Sequence, residues 1–370
     1  VFELRICDIN KVFDSATAIT ASSADGAFPV ANVAHFHCAK VWRSTGNFVI
    51  DSSNNSIDFD IGAGELNATI TPGTYTAAGL AVEIITQLNA EGAGTYTAAI
   101  SASTGKWTLT KSAGTFELLW LTGTNLATTI AAALGFSAAA DLTGALTYAG
   151  ALVAIHTEEW VKFDLGAATN IDSFAMLFDK RIGHKFTSPT LKLQANASDS
   201  WASPSVDVAL SIDEKYDILT YFFSSNQNYR YWRIKIVDPT NTNLYVQLGT
   251  VFLSKATQLT QLPEIGLTAE WQDLSTSQLT PYGHRYVDAY PRLRSFHFDF
   301  RYLSEADLQT LVDIHDRVGG NTPVLVALDP LATIYDKDRW AIYGYMDGRL
   351  GVDNPFYTFF NGSLDIRETQ

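Results

Sequence analysis

The sequence predicts a mainly β, multidomain chain: a β-sandwich interrupted by a small α+β insert and followed by a C-terminal, β-rich α+β domain. Three observations carry this reading. Runs with apolar residues at every second position recur along most of the chain, which is the period of a half-buried strand. The length, 370 residues, leaves room for roughly two to three domains. Two stretches that read as the opening of a single sandwich are separated by about a hundred residues of different character. The first holds Ile19, Ser22, Ser23, Ala31, Asn32 and then Val41, Trp42, Arg43; the second is residues 159–166, with Trp160, Phe163, Asp164, Leu165 and Gly166. A module that survives such an insertion keeps its ends close together and releases the insert from an exposed loop. The division by sequence is therefore 1–47 plus 157–255 for the sandwich, 48–156 for the insert, 256–268 for a linker and 269–370 for the C-terminal domain.

The elements follow in order. Phe2, Leu4 and Ile6 alternate and predict a strand; Phe28 to Asn32 predicts a turn into a loop. In the insert, residues 56–61 and 66–70 alternate, and 71–76 make a turn around Pro72 and Gly73. Residues 78–89 carry Leu80, Ala81, Ile84, Ile85 and Leu88 at helical spacing, with Thr76 placed to cap them. Residues 95–101 and 106–110 read as strands of a hairpin turning near Gly105. A strand at 116–121 and a second helix at 124–134, stopped by Gly135, complete the unit. Beyond it, residues 161–165, 191–195, 229–236 and 246–253 all read as strands. The Gln-, Thr- and Leu-rich stretch 256–268, with Pro263, reads as the linker. Then come a long alternating strand at 294–302, a helix at 304–318 and strands at 324–328, 340–345 and 357–366. Ser304 caps the helix, Glu305 and Asp307 suit its positive end, Gly319 stops it, and Leu308, Leu311, Val312, His315 and Val318 form its inner stripe.

Composition limits function. Apolar residues make up 46% and aromatics 12%, enough for real cores, while charged residues are only 17%. This describes polar but uncharged surfaces, or surfaces buried against partners. The net charge of −14 argues against nucleic-acid binding, which needs a basic footprint. The only cysteines, Cys7 and Cys38, make no disulfide framework and are expected as buried free thiols. No charged-then-apolar leader opens the chain, and no apolar run reaches the roughly 18 residues of a membrane span. The expectation is a protein made in soluble form in a bacterial cytoplasm.

The order of motifs carries a resemblance. Residues 21–23, Val41, Trp42 and Arg43, then Trp160, Phe163, Asp164, Leu165 and Gly166, then Gln194 and Ala195, then Tyr229, Tyr231, Trp232 and Arg233, resemble the discoidin, or coagulation factor 5/8 type C, group of galactose-binding-like jelly rolls. The resemblance implies that Trp42 and Trp160 are core residues. The insert resembles a small domain of tailed-phage virion proteins, in Ala68 to Ile70, Gly73 to Thr76, Leu118 to Thr124, Leu134 to Phe136 and Asp141 to Gly144. The C-terminal part is similar to tail-tip and baseplate proteins of long-tailed phages, in its Phe-rich strand, short helix, the strand following Pro323 and the closing Glu368.

Chemical constellations are sparse. His35 and His37 lie one residue apart but lack a second ligand cluster. Residues 51–58 are rich in Asp, Ser and Asn but lack the Gly and closing Glu of a calcium loop. Gly62 and Gly64 are not followed by the Lys of a phosphate loop. Glu158 with Glu159, and Asp336 with Asp338, are neighbouring carboxylates of a kind expected by chance among 39 acidic residues, whereas a glycosidase needs two that face each other across a cleft. No catalytic residue, metal or cofactor is assigned. The jelly-roll resemblance permits a sugar site at loop residues Arg181, His184, Lys185 and Trp201, while the favoured reading is that the module serves as a packing block. Tyr343, Tyr345, Phe356, Tyr357, Phe359 and Phe360 are the candidate assembly contacts, because aromatics are favoured at interfaces.

The functional expectation is a structural virion protein forming a symmetric ring in a phage tail tip or baseplate, six-fold first and three-fold next. It would join the tail tube to distal host-recognition parts and contact other tail and baseplate proteins. The alternative is a receptor- or glycan-binding adhesin that reads a host surface glycan through the jelly roll; a glycan-acting enzyme ranks third.

Overall fold

The computed structural model describes residues 3–45, 48–101, 105–152, 158–179, 181, 183–213, 216–238, 241, 243, 245–259, 264–279, 282, 284–331 and 336–369. The chain is mainly β and multidomain, with several sheets and few helices. Among the described residues no helix is long and apolar enough to cross a membrane.

The sandwich is organised by two long antiparallel strands, Glu159–Leu177 and Ile218–Val237. Strand Thr190–Asn196 flanks Ile218–Val237 and is itself flanked by Val206–Leu210; Val251–Ser254 and Ala18–Ala21 lie against Glu159–Leu177. Trp42–Arg43 pairs with Gln247–Leu248. Val12, Val33 and Trp42 share one core with Phe163, Phe174, Trp232 and Val251. Segments on both sides of the insert thus build one interior. The long strands curl where the register slips between Asp164 and Thr169. Gly166 sits there at φ +75°, a conformation that costs a residue with a Cβ, and its N–H donates to the Asp164 carboxylate at 2.8 Å.

The intervening segment has its own core, drawn wholly from residues between Phe48 and Tyr148. Two three-stranded sheets surround the helix Ala77–Glu91, which buries Leu80, Ile84 and Leu88. Thr76 caps it, accepting from the Gly79 N–H at 3.2 Å. The helix expected over 124–134 is replaced by two 3₁₀ turns, Leu126–Thr128 and Ala131–Leu134. The Ile130 N–H donates to the Ser56 carbonyl at 3.0 Å. That bond pulls the backbone onto the edge of the sheet and breaks the helical ladder.

The C-terminal domain is a six-stranded sheet in the order Leu4–Cys7, Val324–Leu328, Ala341–Phe356, Phe359–Glu368, Leu293–Leu303, Glu264–Gln272, covered on one face by helix Glu305–Val318. Two sequence-based boundaries are corrected here. Residues 4–7, allotted to the sandwich, form an edge strand of this sheet, with Leu4 opposite Leu328. The stretch read as a linker ends in a nine-residue strand, Glu264–Gln272, whose Leu267 and Ala269 pack on the core; its first turns are held by Thr257, which exchanges hydrogen bonds with Ile6. On the helix, Ile314 is buried and belongs to the inner stripe, while Leu308, Val312 and His315 are only half-buried.

The sheet's other face lies on the sandwich. Side chains alternate between faces of a strand, and here the alternation feeds two cores. In Glu159–Leu177, Phe174 and Met176 enter the sandwich interior, while Ala175 and Leu177 face the C-terminal sheet. In Val324–Leu328, Val324 and Val326 pack under the helix, while Leu325 and Ala327 face the sandwich. Cys7 and Cys38 are buried in this shared layer, and neither is in a disulfide.

Candidate functional site

The jelly-roll motif residues are occupied with holding the sandwich together. Trp42 is fully buried and its indole N–H donates to the Ser23 carbonyl at 2.9 Å. The Arg43 guanidinium stacks between Phe28 and Tyr245, at 3.7 and 4.5 Å, and donates to Gln247 at 3.0 Å. Phe163 and Leu165 point inward. Asp164 takes two hydrogen bonds from Arg230, at 2.7 and 2.8 Å, and the bond from that guanidinium holds its carboxyl below the ordinary range. Arg230 in turn lies 4.9 Å from the Tyr231 ring. Arg233 is buried, donates twice to Gln194 at 2.8 and 2.6 Å, and lies 4.6 Å from the Trp201 ring. Trp160 departs from expectation. It is half-buried on the outer face, with the Lys162 ammonium 5.3 Å from its ring. The reason is strand alternation: Val161 and Phe163 take the inward positions on either side.

The proposed sugar contacts do not converge. Arg181 is exposed and reaches Asp179 at 3.5 Å. The His184 ring stacks on Phe186 at 4.8 Å, and Lys185 adopts φ +61°. This loop leads into the end of the strand pair where Thr190 faces Val237. Trp201 instead covers Arg233, which faces Gln194. Four residues along a strand separate the two places by about 13 Å.

The candidate assembly aromatics divide. Tyr343 is buried inside the molecule, so it is corrected from surface contact to internal packing; its ring meets Phe252 edge-on at 5.9 Å. Tyr345 is half-buried, and Phe360 packs against the C-terminal core. Phe356 has its side chain outside the described residues. Tyr357 is 97% exposed at the tip of its hairpin, and Phe359 beside it meets the exposed Tyr302 edge-on at 6.4 Å.

Sequence reasoning missed a second projecting hairpin. Thr276–Leu279 pairs with Arg285–Asp288, and every residue of both strands is exposed. Leu279, Tyr282, Tyr286 and Val287 all face solvent, with Tyr282 91% exposed. The available signal was Leu279, Tyr286 and Val287 on either side of the sequence Pro-Tyr-Gly at 281–283, a composition typical of turns.

At the root of this hairpin an open cleft runs between the sandwich and the C-terminal sheet. It has a volume of about 470 Å³ and adjoins a second hollow of about 500 Å³ lined by the C-terminal domain alone, with Trp271 and Arg339 common to both. Trp271 is half exposed, and the Arg339 guanidinium lies 5.5 Å from the Trp340 ring. Arg294 forms one wall, held by Glu368 at 2.7 Å.

The metal-like and acidic motifs resolve into local structure. The His37 N–H donates to His35 Nδ1 at 3.1 Å. Asp51 closes a turn on Ser53, and Asp60 accepts from the N–H groups of Gly62 and Gly64 at 2.6 and 3.1 Å. Asp58 is buried and bound by Asn67 and Asn125. Glu158 faces Lys235 at 2.9 Å, whereas Glu159 points inward to Ser23 at 3.0 Å, so these two carboxylates diverge. Among the described residues no three His, Cys, Asp or Glu side chains gather as a metal site. No family model and no curated protein matches this sequence.

Proposed function

We propose that the chain is a structural component of a phage virion, forming a symmetric ring in the tail tip or baseplate and linking the tail tube to distal host-recognition parts. In this reading it has no catalytic role and is made in the host cytoplasm. One observation carries the assembly claim: the hairpin Thr276–Leu279 and Arg285–Asp288 stands off the body with apolar side chains exposed on both strands. A two-stranded ribbon without a covering layer is marginal in water, and its exposed Leu, Tyr and Val side chains favour burial against another surface. The hairpin tipped by Tyr357 adds a further such surface. Projecting arms that dock on a different surface of the next copy make a heterologous contact, and rotation closes such contacts into a ring. The virion setting rests on the sequence resemblances of the insert and the C-terminal domain.

The test is the mass of the purified chain by sedimentation equilibrium, followed by imaging of the virion. A closed ring of six copies, or of three, at the distal end of the tail is the expected result. A monomer at all concentrations, or single copies at fibre ends, would overturn the reading in favour of the adhesin.

A further inference from the structure

We propose that the hollow lined by Leu267, Ala269 and Trp271 is the acceptor for the 276–288 hairpin of a second copy of this chain, with Tyr282 seated in it. The inference rests on the assembly proposed above and names its acceptor surface.

The hollow follows from the curl of the C-terminal sheet. Strand Glu264–Gln272 is one edge of that sheet, and three strands separate it from Val324–Leu328. Both nevertheless line the same hollow of about 500 Å³, the first through Leu267, Ala269 and Trp271 and the second through Leu328, with Trp340 beside them. Leu267, Ala269, Leu328 and Trp340 border the core beneath helix Glu305–Val318 but stay only partly buried. An apolar gap is thus left open beside the part of the core that the helix covers.

Every copy also carries a matching projection. Tyr282 is 91% exposed at the tip of the hairpin. Leu279 and Val287 are exposed on one face of it, since Leu279 lies two residues from Ser277, the register partner of Val287. The hollow has room for one tyrosine ring and an aliphatic neighbour. Aromatic anchors seated in pockets carry much of the energy of interfaces.

Three observations make the occupant a second copy. The first is connectivity. Strand Glu264–Gln272 lines the hollow and runs on, through three residues, into Thr276–Leu279. Knob and hole therefore sit at the two ends of one ribbon. Within a copy the tip stands in solvent and does not fill its own hollow. A knob and a hole at different places on one chain pair head to tail, and that contact repeats from copy to copy.

The second is area. Tyr282, Tyr286 and Tyr290 are 91, 67 and 55% exposed. At about 150–250 Å² per ring they offer roughly 300–500 Å², and Leu279 and Val287 add to it. A stable interface takes about 800 Å² from each partner, so the arm supplies a large part of one side. The third is charge. At a net charge of −14, two copies repel over much of their surfaces. The arm carries one Arg and one Asp, Arg285 and Asp288, and the hollow likewise has Arg339 and Asp329. Each side is balanced, so this contact avoids the like-charge penalty.

Crosslinking of the full chain tests the pairing. Tyr282→Cys chains are mixed with Ala269→Cys chains and treated with a short bis-maleimide. A crosslinked pair is expected, mapped by mass spectrometry to positions 269 and 282. The parent chain, whose Cys7 and Cys38 are buried, should give none, and neither should Tyr357→Cys in place of Tyr282→Cys. Arg339→Cys, at an exposed position of the same hollow, repeats the test where Ala269→Cys disturbs folding. With Tyr282→Cys and Ala269→Cys combined in one chain, the products should form a ladder ending at six copies or at three. Ala269→Glu should weaken association at least tenfold in sedimentation velocity. A ring that forms without these crosslinks, or that Ala269→Glu leaves undiminished, overturns this contact and leaves the ring standing. A ladder that stops at two copies supports the contact and overturns the ring. A monomer at all concentrations, with no crosslink, overturns both.

Discussion

Asp338 of the C-terminal domain accepts two hydrogen bonds from Thr220 of the sandwich, from the backbone N–H at 2.8 Å and from the hydroxyl at 2.5 Å. Both residues are buried. The contact fixes the lateral position of one sheet on the other. Asp338→Ala leaves the Thr220 donors without a partner and should cost about 2–4 kcal/mol. Asp338→Asn keeps one carbonyl oxygen and should cost less. Equilibrium urea unfolding of both variants measures this, and an unmoved midpoint in Asp338→Ala would show that the layers do not depend on the contact.

Cys7 reports on the same layer. Burial pushes its thiol up to about 12, with the Asp172 charge adding to the rise. At pH 8 it should resist iodoacetamide, since the thiolate is scarce and access is blocked. Labelling followed by mass spectrometry should show modification of Cys7 appearing together with unfolding. Rapid labelling in plain buffer would mean that the sheets separate readily.

His297 makes the strand pair Leu293–Leu303 and Phe359–Glu368 sensitive to pH. Its hydrogen bond to Asp365, at 2.6 Å, raises its pKa above 6.5, and the Asp299 charge assists. A raised histidine stabilises fully below the unfolded pKa of about 6.5 and loses that contribution as pH rises through the folded value. Both partners are well exposed, so solvent screening keeps the effect small. Melting temperature should be slightly higher at pH 5.5 than at pH 8, and His297→Gln should reduce the difference. An identical pH profile in the variant would remove His297 as its source.

The insert should fail from within. Ile84 is fully buried in its core, and Ile84→Asp places an unpaired carboxylate there at a cost of several kcal/mol, on the order of a small domain's stability. Hydrogen exchange should show protection lost across residues 48–152 and retained in the sandwich core. Retained protection in the helix Ala77–Glu91 would contradict the central place given to Ile84.

If the proposed ring forms through the 276–288 hairpin, Leu279→Ser combined with Tyr282→Ser should raise its dissociation constant about tenfold or more, because buried aromatic and aliphatic anchors carry interface energy. Tyr343→Phe should leave it unchanged, since that hydroxyl donates inward, to the Phe36 carbonyl at 3.1 Å. Sedimentation velocity over a concentration series distinguishes the two variants. An effect in Tyr343→Phe alone would reverse the assignment of surfaces.

Periodicity made local structure readable. Thr76 and Ser304 cap their helices as their side chains and the following apolar stripes imply. Residues 161–165 alternate because only one face of that stretch meets a core. The method fails where both faces are covered. Phe174 to Phe178 reads as one unbroken apolar run, and nothing in it separates Phe174 from Ala175, which serve different cores. The same limit hid Tyr343, whose aromatic character suits an interface between domains as well as one between copies. The cleft was illegible for another reason. Trp271, Arg294 and Arg339 are far apart in sequence and come from separate strands and a turn, and no local pattern marks a cavity assembled by tertiary packing.

The edge strand Leu4–Cys7 has a consequence for biosynthesis. Its partner Val324–Leu328 is translated more than three hundred residues later. At about 5–20 residues per second, the early strand waits roughly 15–65 s for its neighbour. During that interval Leu4 and Ile6 have no sheet to join, while the intervening segment already holds all the residues of its own core. The insert is free to fold on the ribosome, but the C-terminal sheet closes only after nearly the whole chain has emerged. Truncated products therefore carry an apolar strand with no place to go, which makes them natural substrates for chaperones and proteases.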